Sequence, residues 1–136
     1  MNTTAKTSFL KIIGLALAAA LIALLANIIL FYIGKSLGFF PESVLLPNQD
    51  QPLTLLPVIL SSIMPSLVAG LIMALLNKYT KNPKKIFNTM AVALLIMSFA
   101  NPFFIPGVPM MMAILLNVMH VTVAGSLLYT FNKYIV

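Results

Sequence analysis

Four apolar runs, each about as long as a bilayer is thick, leave this chain few folds to choose from. They extend from about Ile12 to Gly34, Leu53 to Leu76, Ile86 to Phe104 and Met110 to Phe131. About 20 apolar residues carry a helix across the hydrocarbon layer. Inside lipid, a lone segment satisfies its own N–H and C=O groups only as a helix. The expected fold is therefore all-α: one integral membrane domain over residues 1–136, an antiparallel four-helix bundle with short links. With 61% hydrophobic and 7% charged residues, little chain is left over for a water-soluble unit.

The punctuation between the runs is sharp. Lys6 and Lys11 precede the first run and Lys35 closes it. A basic start before an apolar stretch also describes a secretory signal, but a signal's apolar core is only about 7 to 15 residues long. This run is longer, and an uncleaved first span is expected. Pro41 to Pro52 holds the only two acids, Glu42 and Asp50, among prolines and amides, and reads as an exposed loop. Pro57 and Pro65 interrupt the second run, and Pro65 predicts a kink near Ser61, whose carbonyl it cannot bond. A polar link with four lysines, Asn77 to Lys85, follows. Pro102, Pro106, Gly107 and Pro109 form an uncharged turn between the last two runs, and Lys133 ends the fourth.

Lysine in short loops stays preferentially on the cytoplasmic side. Lys6, Lys11, Lys78, Lys81, Lys84, Lys85 and Lys133 share one side of a four-span topology, and Glu42 and Asp50 take the other. Both termini and the lysine-rich link are expected in the cytoplasm. Lys35 dissents from a position where a lysine can snorkel to the far headgroups.

The net charge of +6 does not point to nucleic acid, because all eight cations are lysines at membrane flanks and no arginine is present for phosphate or base forks. Membrane lipids are the expected partner. No cysteine means no disulfide, no thiolate metal site and no thiol redox chemistry. There is no glycine-rich phosphate loop, and Glu42 and Asp50 lack another catalytic group nearby. Met110, Met111 and Met112 fan around a helix start and read as packing or lipid contacts, not a copper site. No catalytic residue, metal or cofactor is expected, and the chain is not expected to be an enzyme.

Two sets of residues stand out within the spans. Ser62, Ser66, Gly70 and Ala74 recur at intervals of four, which places small side chains on one face of the second helix. Such a ridge lets two helices approach closely in lipid, either within the monomer or between copies, and Gly70 and Ala74 are its packing residues. Ala19, Ala23 and Asn27 form a similar face on the first. The polar set is Asn27, Ser62, Ser66, Ser98, Asn101, Asn117 and His120. At 1.5 Å per residue, Asn27 and Asn117 lie roughly 10 Å below the outer surface. This layer is either a pocket opening outward or a set of interhelical hydrogen bonds. His120 and Asn117, three residues apart on one helical face, are placed to bond each other. With no second histidine and no acid in any span, a metal at His120 has no further ligands.

Gly70 to Leu76 leading into the basic link, Ser98-Phe99-Ala100-Asn101-Pro102, and Met119-His120-Val121-Thr122-Val123-Ala124 cover roughly the second half of the chain. In these the chain resembles a family of short bacterial four-span membrane proteins, the domain of unknown function numbered six thousand and sixty-nine. The resemblance implies fold and residence in a bacterial inner membrane, without a reaction. The expected role is that of a small multi-pass protein binding a lipid, a small ligand or a membrane partner, which includes a second copy of itself. A small transporter or channel working as an oligomer is the alternative, although proton-coupled export needs an intramembrane carboxylate and no span has one. An intramembrane enzyme would have only His120, asparagines and hydroxyls to work with.

Overall fold

A computed structural model describes residues 6–136 and is helical over most of each apolar run. Helix α1 spans Phe9–Ser36, α2 Leu55–Tyr79, α3 Pro83–Ser98 and α4 Met110–Tyr134, with a short 3-10 turn at Asn101–Phe104. Each of four segments, the third being Pro83–Phe104, is long and apolar enough to cross a membrane.

The ends of the helices follow from local chemistry. The Ser8 side chain accepts from the Lys11 N–H at 3.3 Å and starts α1. Gly38 stops it: at φ +73° it adopts the left-handed conformation that glycine tolerates. Its N–H then reaches Lys35 O and the Phe39 N–H reaches Gly34 O, a Schellman closure. That reversal lays Phe40 on Phe31, with ring centroids 5.8 Å apart. Pro83 opens α3, where its missing N–H is harmless. The α-helix ends at Ser98, short of the Phe104 boundary expected from hydropathy alone. Pro102 disfavours the α region at Asn101, and the chain tightens into the 3-10 turn.

The segment between α1 and α2 is more ordered than an exposed loop. Phe40 and Val44 are buried, Leu45 pairs with Pro52, and the Leu46 N–H donates to Gln51 O at 2.8 Å. Asn48 and Asp50 take the positive φ values of the turn between. Glu42 and Asp50 stay at the surface.

Helix α1 packs along both α2 and α4, while α3 lies against α2 and α4 with much less contact. On α1 most of the buried residues are small, with Ile12 and Phe31 the large exceptions. The buried face of α1 includes Ala16, Ala19, Ala20, Ala23, Asn27 and Gly34, whereas Leu10, Leu21, Leu25 and Ile29 point outward. This is the inverse of a soluble helix and the arrangement lipid selects. Two apolar clusters fill the interior. One, with Ile12, Met73, Phe87, Leu127 and Phe131, lies toward the lysine-rich link; the other, with Phe31, Phe40, Val58, Ile105 and Met112, lies toward the α1–α2 loop.

Backbone and amide bonds tie the lysine-rich end together. Asn77 donates to Thr7 O at 2.8 Å, Lys6 to Lys78 O at 2.7 Å, and the Val136 N–H to Thr7 Oγ1 at 3.0 Å. Asn88 and Asn132 exchange two amide bonds of 2.9 Å between α3 and α4, with Lys84 bonding Asn132 O at 3.2 Å. Lys35 is at the other end, 6.0 Å from the centroid of the Phe31 ring.

Candidate functional site: a polar layer between two cavities

Between the two apolar clusters, α1, α2 and α4 each contribute to a polar layer. Asn27 is 1% exposed and donates to Ser62 Oγ at 2.9 Å and, more weakly, to Met119 O at 3.4 Å. One amide thus touches all three helices. Ser62 Oγ in turn donates a hydrogen bond to Val58 O at 2.9 Å, and Ser66, one turn deeper, donates to Ser62 O at 2.8 Å. Both serines are fully buried. Gly70 continues the same face, where an added Cβ would come within 2.6 Å of the Ala16 Cβ. Ala74 ends it, buried against the lysine-side cluster.

His120 and Asn117 do not form the bond that their spacing invites. Asn117 instead donates to Phe99 O at 3.2 Å, because α3 has ended and the turn after it brings that carbonyl against α4. His120 Nδ1 is buried with no hydrogen-bond partner among the described residues, as are Asn27 Oδ1 and Asn117 Oδ1. Ser98 bonds back to Leu95 O at 2.7 Å within its own helix.

Two cavities flank this layer. The first, about 210 Å³, lies beneath the α1–α2 loop and is lined by Asn27, Leu46, Leu53, Pro57, Leu116 and Met119, among others. The second, about 350 Å³, is an apolar groove among α2, α3 and α4, with Val68, Ile72, Met90, Leu94 and Ala124 in its walls and Ser98 as a polar member. Ser61, Asn101, His120 and Val123 line both. Of the polar residues singled out in the sequence, Asn27, Asn101 and His120 meet on the first cavity. Ser98 joins Asn101 and His120 on the groove. Ser62, Ser66 and Asn117 line neither.

Sequence reading missed three features. Ser61 stands at the junction of the cavities; its signal was Pro65, which leaves the Ser61 carbonyl without its usual helical donor. Asn77 looked like part of a polar link, yet it is 5% exposed and bonded to the start of α1. The Asn88–Asn132 pair joins residues 44 apart, and nothing local marks it.

Among the described residues, no three of His, Cys, Asp or Glu gather as a metal set would. No curated protein and no solved structure matches this chain. The model of the family of unknown function DUF6069 matches residues 8–135, through the first two helices as well as the second half, and the chain belongs to that family.

Proposed function

We propose that this chain is a non-enzymatic, multi-pass protein of a bacterial inner membrane that takes up an amphiphile from the bilayer. The observation that carries this reading is the shared wall. Ser61, Asn101 and His120 stand where an apolar groove between α2, α3 and α4 meets a second, smaller cavity. A groove of about 350 Å³ is within the size range of small-molecule sites, and few convergent polar groups on an apolar lining is their usual chemistry. The weak contact of α3 with its neighbours leaves a lateral way in. In this reading the helices are antiparallel, and the bonds of Thr7 with Asn77 and Val136, together with the Asn88–Asn132 pair, hold one end of the bundle. Seven of eight lysines lie at that end or beside it, which supports placing it, with both termini, in the cytoplasm.

Native mass spectrometry of protein extracted with its own lipid tests the proposal. An amphiphile should stay bound to the wild type and be lost from Ala124→Phe, which fills the groove, at an unchanged thermal midpoint. Equal retention by that variant, or no retained molecule in the wild type, counts against the groove. A membrane partner that co-purifies in place of a small molecule would shift the reading to an accessory subunit.

A further inference from the structure

We infer that the amphiphile is an anionic phospholipid, with its phosphate on the lysines of the α2–α3 link and one acyl chain in the groove. This rests on the groove reading above and adds which lipid enters and which way round. The walls of the groove fix its position along the bundle. Its α3 wall runs from Phe87 to Ser98, about 16 Å at 1.5 Å per residue. That is about half of a hydrocarbon core about 30 Å thick, the depth of one leaflet. The leaflet is the lysine-side one, because Phe87 stands in the second turn of α3, whose first residue is Pro83. The link joins two walls of the groove and therefore passes over this end of it. It carries Lys81, flanked by Lys78 at the end of α2 and by Lys84 and Lys85 at the start of α3. Lys84 precedes Phe87 by three residues and so shares its face of the helix.

Charge selects the head. No acidic side chain shares this end, since Glu42 and Asp50 lie in the α1–α2 loop. The bonds that the lysines make go to neutral groups: Lys84 to Asn132 O at 3.2 Å, Lys6 to Lys78 O at 2.7 Å and Lys133 to the Tyr129 hydroxyl at 2.9 Å. An ammonium has three N–H donors, so each keeps its charge and further donors. Tyrosines mark the depth. Tyr79 and Tyr129 are 71% and 62% exposed, with Lys78 and Lys133 5.1 and 5.2 Å from their ring centroids. Rings of this kind settle at the headgroups, and the ammonium groups beside them stand at the level of lipid phosphates. The groove itself is lined by no Lys, Asp or Glu, which suits a tail along Ile72, Met90 and Leu94 and leaves the charged head outside at the lysine end. Lysines gathered there attract a lipid with net negative charge over a zwitterion.

The test uses the full chain in phosphatidylcholine nanodiscs doped with phosphatidylglycerol that bears a photoreactive diazirine in one acyl chain, or with phosphatidylcholine labelled in the same way. Both should label groove residues, phosphatidylglycerol about five- to tenfold more. High salt should narrow the gap. Lys81→Gln, Lys84→Gln and Lys85→Gln combined should bring the two lipids near parity, with groove labelling by phosphatidylcholine unchanged. Lys11→Gln should keep the preference, because it lies at the same end on α1, which does not line the groove. Equal labelling in the wild type overturns the assignment of the head and leaves the groove reading standing. So does a preference that the triple variant keeps or that Lys11→Gln removes, and so does enrichment of phosphatidylglycerol only outside the groove. No groove labelling by either lipid overturns both. Where the triple variant fails to fold, the wild-type comparison and its salt dependence decide.

Discussion

Helices α1 and α3 both belong to segments apolar enough to cross a membrane, yet one is the axis of the bundle and the other rests on its side. Helix α1 buries Ile12, Ala16, Ala19, Ala20, Ala23, Asn27, Phe31 and Gly34, while α3 buries Phe87 alone. Hydrophobicity cannot explain the difference, because lipid is as apolar as leucine and offers no gain for hiding it. Side-chain size explains it. The alanines and glycine of α1 recur on one face, so that backbones come close; Gly70 of α2 approaches Ala16 so nearly that a Cβ has no room. On α3, Met90, Leu94 and Met97 are 39%, 56% and 70% exposed and add little to the contact with neighbouring helices. Tight packing makes α1 a scaffold, and loose packing leaves a groove beside α3.

The strongest way to break this contrast is at the one place where α3 is well held. Phe87 is 3% exposed and meets Phe131 edge to face, with centroids 5.0 Å apart. Phe87→Ala should destabilise the protein by up to about 3 kcal/mol, the low end for soluble cores, since lipid or detergent replaces water as the alternative surroundings. The unfolding midpoint in detergent reads this out. A silent Phe87→Ala would mean that α3 is anchored elsewhere.

Next in size is Gly70→Leu, which overpacks the α1–α2 contact at a cost of about 1–3 kcal/mol. Leu94→Ala, on the exposed side of α3, is the matched control and should leave the midpoint nearly unchanged. If the two variants behaved alike, close approach would not be what distinguishes α1. Asn27→Ala probes the same contact through its hydrogen bonds. Interhelical bonds in membranes average about 0.6 kcal/mol and reach about 1.7. The fully buried Asn27 links three helices and belongs at the upper end.

The sequence makes the scaffold more legible than the groove. Ser62, Ser66, Gly70 and Ala74 share a face because four residues are nearly one helical turn, and all four are buried. The spans are legible for the same local reason, since an apolar run must close its own backbone bonds. What escapes local reading depends on where chains meet. The partner of Asn117 is Phe99 O, which requires α3 to stop at Ser98 and fold back through the Pro102 turn. The burial of Phe40 and Val44 requires the Gly38 reversal to return the loop onto Phe31. The cavities on either side of His120 follow from these two turns and from the loose seating of α3.

The smallest effect concerns the Asn88–Asn132 pair, and it sharpens the contrast between the two ends of α3. At the lysine-rich end α3 is tied to α4 by two reciprocal amide bonds and by Phe87 on Phe131. Toward the groove, its contact with α4 includes the single Asn117 to Phe99 bond. The amide pair lies at the surface, and a double-mutant cycle of Asn88→Ala and Asn132→Ala should give a coupling of about 0.6 kcal/mol. Asn132 also donates to Leu128 O at 2.7 Å, so the single variants differ, and only the cycle isolates the pair. Global stability will barely register so small a term, but local opening will. Amide exchange along α3 should quicken in Asn88→Ala, first in the turns next to residue 88, while α1 keeps its protection. Faster exchange in α1 to the same degree would show that the helices open together, and that α3 is as much a part of the scaffold as the helix it leans beside.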